Sequence, residues 1–328
     1  MTAAPAVKRR EAAWITALTA LLLAVLVLLL PGRAYLPQDL LIVDMVSAFA
    51  PQWLGFCATC AVACAWHDRW LRAGAFALLL VPDFGTALFV GAADADAREQ
   101  PLGALYAANL SARPRAVRRA VAELSRIDPD LVWLSEFPES LDAETEAAFQ
   151  ALEDRYPFGI AWPASAGRGL RFLSRYPVRT REEFNPERAP GRPGLRLTLD
   201  VNGRALTVFA LHTHPPTQDW SLKARNQALD WVAEELAGTG GDAVVVGDLN
   251  TSAFSPRFLA FVRRAGLDCA SPWRCAVGSW PAPLRPLLTP IDHVLARGRV
   301  RVASLERGGH TGSDHYPVVA QLVYRPPG

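Results

Sequence analysis

Eight residues with carboxylate, carboxamide or imidazole side chains stand at or beside the ends of apolar stretches: Asn109, Glu136, His214, Asp248, Asn250, Asp292, Asp314 and His315. The densest case is VVVGDLN, residues 244–250. Val244 to Val246 read as a strand buried on both faces, where valines pack well. Gly247 lets the backbone turn or admits something close. Asp248 and Asn250 are one residue apart, so in extended geometry they point the same way. A carboxylate and an amide side by side at the C-terminal end of a strand are arranged for a ligand. A capped turn is the plain alternative, because Asp and Asn are common turn residues. Each of the eight, taken singly, has such an explanation. A glutamate after a strand is usually solvated, and the Asp-His pair of GSDHYP reads as a turn. Recurrence at successive strand ends is what singles them out.

The elements that must position these groups alternate along the chain. GALYAANL is a short strand ending at Asn109, and PRAVRRAVAELSRI places Val117, Val121, Leu124 and Ile127 on one helical face. Asp128-Pro129 stops that helix, and DLVWLSEF is the next strand, with Glu136 near its end. Asn202-Gly203 is a two-residue turn signal between alternating strands, so residues 194–216 form a hairpin. SLKARNQALDWVAEELAG is an amphipathic helix closing on a glycine cap. A helix from about Ser255 follows, and IDHVLAR and HYPVVAQLVYR end the chain as strands. The expected fold is α/β: a four-layer sandwich of two mixed β-sheets flanked by helices.

Six stretches, in order, carry a resemblance: AANL, PDLVWLSE, LHTHPP, GDLN, IDHVLARG and GSDHYPV. Residues 102–325 resemble the endonuclease/exonuclease/phosphatase superfamily of magnesium-dependent phosphoesterases. GDLN followed far downstream by SDH is the most specific part. The resemblance implies hydrolysis of a phosphoester by an activated water, which needs charge neutralisation at phosphorus and a proton for the leaving oxygen. It implies Glu136 as principal ligand of Mg²⁺ or Mn²⁺, a hard cation that takes oxygen ligands, with Asn109 and Asp314 completing the cation side. It implies Asp248 as the group that orients or deprotonates the water and Asn250 as a donor to the phosphorus centre. It implies that His315 exchanges a proton or binds a phosphate oxygen, that Asp292 fixes its tautomer and raises its pKa, and that His214 bonds a phosphate oxygen. His212, two residues before His214, is the alternative for that position. His293 is expected on the opposite face of its strand, and Trp280 either lines a cleft or anchors a loop.

The chain has 328 residues, 51% of them hydrophobic, and the apolar excess lies at the front. Residues 12–30, 46–66 and 73–93 are apolar runs close to the roughly 20 residues that cross a bilayer. The expectation is a transmembrane block over 1–93, a polar linker over 94–101 and the catalytic domain over 102–328, with the N-terminal block resembling a membrane-attached bacterial subgroup. A signal peptide is the rival for the first run, because Lys8, Arg9 and Arg10 precede it. Asp83 is a costly charge within the third run. Positive-inside puts the N-terminus in the cytoplasm, and three crossings then put the domain in the periplasm or outside the cell. Two crossings would leave it cytoplasmic. Cys57, Cys60 and Cys64 fall on one helical face and read as small residues packing between membrane helices, with a metal site as the alternative. Cys269 and Cys275 can form a disulfide in an oxidising compartment.

From residue 94 onward 28 Lys and Arg face 27 Asp and Glu, a near-neutral balance unlike that of a protein that coats nucleic acid by charge. The expected partners are a phosphoester substrate (phospholipid, nucleotide or nucleic acid) and the lipid bilayer; no feature calls for a protein partner. The competing function is a catalytically silent domain that binds a ligand or partner at the membrane. It predicts the loss of a catalytic residue, and each expected residue is present. A transporter or channel is disfavoured by the large domain beside so few apolar runs.

Overall fold

The computed structural model describes residues 39–66, 99–162, 169–185, 194–269 and 274–326. Two helices, α1 (Leu41–Ala48) and α2 (Ala50–Trp66), precede an α/β domain. The domain runs β1 (Gln100–Asn109), α3 (Pro114–Ile127), β2 (Leu131–Phe137), α4 (Ala143–Glu153), β3 (Phe158–Trp162), β4 (Gly169–Ser174), β5 (Val178–Phe184), β6 (Gly194–Val201) and β7 (Arg204–His212). It continues with α5 (Asp219–Thr239), β8 (Ala243–Asp248), α6 (Pro256–Ala265), β9 (Asp292–Arg297), β10 (Val300–Arg307) and β11 (Val318–Tyr324).

The strands form one sheet of order β10-β11-β1-β2-β4-β3 and another of order β5-β6-β7-β8-β9. Pairs β1–β2 and β7–β8 are parallel and their neighbours antiparallel, so both sheets are mixed. Alternation assigns the faces. Val244 and Val246 meet Leu105, Trp133 and Val208 between the sheets, while Val245 faces Leu229 and Phe258 on the helices. On the other sheet Tyr106, Val132 and Leu134 pack under α3 and α4. The result is helices, sheet, sheet, helices, as expected from the alternating elements.

Local chemistry ends the elements where the sequence signals it. Asn202 and Gly203 both have positive φ, +54° and +83°, between paired Val201 and Arg204, which is what a two-residue hairpin turn requires. Asp128 takes φ +55° and ends α3. Helix α5 runs one residue past the expected glycine cap at Gly238, to Thr239, and Gly240 follows.

The N-terminal region departs from expectation. The runs 12–30 and 73–93 lie outside the described residues, as do 94–98 of the linker; Gln100 and Pro101 belong to β1 rather than to a linker. The expected continuous helix over 46–66 is broken at Phe49, and the two pieces bend by 66°. Pro51 explains the break, since its ring would clash with the carbonyl four residues earlier, at Ser47. Among the described residues no single helix is long and apolar enough to cross a membrane. The bent pair α1 and the first part of α2 is long and apolar enough only when taken together, and its start is bonded to the α/β domain. The carbonyl of Ala48 at the end of α1 accepts from Thr289 Oγ1 (2.6 Å), Asn226 Nδ2 donates to Asp39 (2.8 Å) and Gln52 Nε2 donates to the carbonyl of Leu288 (2.9 Å).

Candidate active site

One cavity of about 290 Å³ opens at the C-terminal ends of β1, β2, β7 and β8. Asn109, Glu136, Asp248, Asn250, Asp314 and His315 all line it, although the chain spreads them over two hundred positions. Asp292 stands directly behind His315.

Asp248 sits at the centre, wholly buried. The parallel ladder sets it beside His212, and the antiparallel ladder sets it beside Asp292. Its Oδ2 accepts from Asn109 Nδ2 at 3.0 Å and its Oδ1 from the backbone N–H of Asn250 at 3.0 Å. Gly247 makes this approach possible. It has φ +135°, and a Cβ there would lie 1.8 Å from the carbonyl oxygen of Leu211. Asn250 is past the strand end, with φ +46°, and its Nδ2 donates to the carbonyl of Thr213 at 2.9 Å. The extended geometry read from the sequence therefore stops at Asp248, but a turn returns Asn250 to the same cavity.

Glu136 has φ +49° at an irregularity in the β2–β4 pairing between Leu134 and Phe137. A non-glycine residue there is costly and clusters at functional sites. The kink aims its carboxylate at the cavity, with Oε1 3.4 Å from His212 Nε2. His212 Nε2 is also 3.7 Å from Asp248 Oδ2. Of the two histidines, His212 lines the cavity, whereas the ring of His214 lies against Trp220 with centroids 5.3 Å apart.

Asp314 and His315 follow the turn before β11. Ser111, at φ +51°, ties this turn to the end of β1: its N–H donates to Asn109 Oδ1 (2.9 Å) and its hydroxyl donates to Asp314 Oδ1. Sequence reasoning passed over Ser111 because it stands one residue beyond the apolar strand in a loop. His315 Nδ1 is 2.8 Å from Asp292 Oδ2, and its Nε2 is 3.9 Å from Asp248 Oδ2. His293, by contrast, points away: it is wholly buried, with Nε2 2.8 Å from the carbonyl of Thr251 and its ring on Phe258. Trp280 lines the cavity. Arg171 lies over the Phe137 ring, and Arg168 is outside the described residues.

The charges in this space push one another. Burial, then the charge of Asp292, raise the Asp248 carboxyl to about 7 against the opposing pull of His315 and Asn109. Burial alone would lower His315; the charge and hydrogen bond of Asp292, with Asp248 and Asp314, outweigh it and raise the imidazole to about 9. Burial also works to raise Asp314, but the Ser111 hydrogen bond and His315 bring it below the usual carboxylate range.

The donor set suits a hard divalent cation. Glu136, Asp248, Asp314 and Asn109 line one space with carboxylate and carboxamide groups, and among the described residues that line it there is no lysine or arginine. Ligand atoms of Asp248, Asp292 and His315 also lie within 4.8 Å of one another. The 2.8 Å hydrogen bond between Asp292 and His315 occupies the facing atoms of that pair, and Ser111 bonds Oδ1 of both Asn109 and Asp314, so a cation on the Glu136 side would share those oxygens with Ser111 or use Asp314 Oδ2.

Residues 102–315 match the model of the Endonuclease/Exonuclease/phosphatase family, and the chain belongs to that family. It is a phosphoesterase of that family, a class of metal-dependent hydrolases. No curated protein matches the sequence. The fold is similar to an endonuclease/exonuclease/phosphatase from Bacteroides vulgatus (TM-score 0.54, 17% identity, 67% of this chain and 98% of that one). It is also similar to sphingomyelinase C from Streptomyces griseocarneus (TM-score 0.51, 19%, 67% and 98%). A third likeness is to D. rerio TDP2 complexed with single-strand DNA product (TM-score 0.51, 14%, 67% and 98%).

Proposed function

We propose that this chain hydrolyses a phosphodiester at a membrane surface, with Mg²⁺ or Mn²⁺ held by Glu136, Asn109 and Asp314. The observation that carries the reading is the convergence of these three residues with Asp248, Asn250 and His315 on one cavity. The cation, when bound, polarises a phosphoryl oxygen and shields its developing charge. Asp248 takes a proton from the attacking water. Its raised pKa suits a base working near neutral pH, and Asn109 and Asn250 fix its two oxygens. His315, kept cationic by Asp292, donates from Nε2 to a non-bridging phosphate oxygen or to the leaving oxygen. The second amide hydrogen of Asn250 donates to the same phosphate. His212 takes the part first expected of His214, because it borders both Glu136 and Asp248.

The membrane assignment draws on the apolar runs of the N-terminal region and on its exposed apolar side chains. Five of the eight exposed large hydrophobic residues among those described, Leu40, Ile42, Met45, Phe56 and Val62, belong to the N-terminal segment, and Met45 also lines the cavity. The near-neutral domain favours a substrate of low charge over a nucleic acid, and among the described residues that line the cavity there is no arginine or lysine. The Cys269–Cys275 disulfide favours an oxidising compartment, outside the cytoplasmic membrane.

The test is metal-dependent hydrolysis of bis(4-nitrophenyl) phosphate against 4-nitrophenyl phosphate. The diester is expected to be cleaved faster, and Asp248→Ala and His315→Ala to lose the activity. Equal rates in wild type and both variants would favour a silent binding domain instead.

A further inference from the structure

We infer that the helical elbow formed by α1 and the start of α2 is part of the substrate site, and that it selects a phosphoester carrying an apolar arm. This rests on the phosphoesterase reading above and goes beyond it in naming what the substrate must contain besides phosphate.

The cavity combines two kinds of lining. Glu136, Asp248, Asp314 and His315 give it charge, and Met45 and Phe49 of the elbow join Pro215, Pro216, Trp280 and Ile291 in giving it apolar surface. Its volume is near the lower limit for small-molecule pockets, so it admits more than a phosphate group. A molecule with an ionic phosphate and a hydrocarbon arm next to it meets both kinds of lining.

The elbow is built in rather than laid on. Asp44 of α1 is buried, accepts from Arg225 Nη1 at 3.1 Å and from Ser255 Oγ at 2.8 Å, and so fixes the face of α1 that turns Met45 and Phe49 toward the cavity. The carbonyl at the broken end of α1 is bonded by Thr289, itself a lining residue.

The experiment uses the full chain with Mg²⁺ or Mn²⁺ and a series of alkylphosphonates (methyl, butyl, octyl), which cannot be hydrolysed at the P–C bond, kept below aggregation. Titration calorimetry is expected to show affinity rising about two- to fourfold per methylene over the first carbons, as burial of CH₂ groups gives. Met45→Ala and Phe49→Ala are expected to lower the octyl-to-methyl affinity ratio at least threefold. Met45 is half exposed, so its variant tests the contact with little risk to folding. Equal affinities along the series, or a rise that both variants leave intact, would overturn the inference while hydrolysis of bis(4-nitrophenyl) phosphate still stood. Absence of both diester hydrolysis and phosphonate binding would overturn the phosphoesterase reading and the inference together.

Discussion

The carboxylate of Asp44 and the guanidinium of Arg225, 181 positions apart, meet at 3.1 Å in a place closed to solvent. Nη1 of Arg225 also donates to the carbonyl of Asn250 at 2.8 Å. A residue of the N-terminal helix thus acts, through one arginine, on the turn that holds Asn250 against Asp248. Removing one partner of a buried pair strands the other charge, at a cost of about 3–5 kcal/mol. Asp44→Ala should therefore lower unfolding free energy by about that amount and reduce turnover. Replacing both residues by apolar ones should cost less than the sum of the single changes. Chemical denaturation of the four proteins of the cycle checks this. Additive losses would mean that the pair is not coupled.

Asp248→Asn keeps the shape of the side chain and removes the base. With Asn109 and the Asn250 N–H still nearby, the fold should be retained and kcat on the diester should fall about 10²–10⁴-fold, the usual contribution of a positioned acid or base. Steady-state kinetics with melting of the same samples separates this loss from unfolding.

Glu136→Gln should act differently, because it weakens the cation rather than the base. Chelation with EDTA is expected to abolish hydrolysis by the wild type and added Mg²⁺ or Mn²⁺ to restore it. The variant should need a metal concentration at least tenfold higher for half-maximal rate. A metal titration curve that coincides with the wild type would remove Glu136 from the cation site.

Much of this site was legible because polar residues at the ends of buried strands stand out against valines and leucines. Asp248, Asn250 and His315 were found that way, and alternation correctly sent His293 to the other face. Alternation could not separate His212 from His214, since residues two apart share a side of an extended strand. What separates them is where the ladder stops, and β7 ends at His212 just before Pro215 and Pro216. The strained φ of Glu136 leaves no trace in composition. The stretch 46–66 was read as one continuous helix from its hydropathy, which docking on a protein and insertion in lipid share. Pro51, near its start, was the sign that the helix would break, as it does at Phe49.

His293 gives the fold a pH dependence of its own. Burial lowers its pKa from 6.5 to about 4. Above pH 6.5 the ring is neutral in both folded and unfolded chains, and nothing is lost. Between pH 6.5 and 4 the unfolded chain takes up a proton that the folded one refuses, so stability falls as pH falls, by up to about 3 kcal/mol. The stability-against-pH slope over this window should be shallower in His293→Gln than in the wild type. Equal slopes would show that the ring is protonated in the folded chain.

The Cys269–Cys275 bridge closes a short loop, with its Cα atoms 5.9 Å apart, beside the core formed by α5, α6 and the second sheet. Closing a loop of this size contributes about 2 kcal/mol by restricting the unfolded chain. A Cys269→Ser, Cys275→Ser double variant should lose about that much stability, and reduction with dithiothreitol should lower the wild type to the same level and leave the double variant unchanged. Thiol labelling of the protein taken directly from its native compartment then tests where the domain resides. The expected result is that Cys269 and Cys275 resist labelling until reduced, because the bridge persists only where the surroundings are oxidising. Free thiols at both positions would place the domain on the reducing side of the membrane and would remove the extracytoplasmic assignment with it.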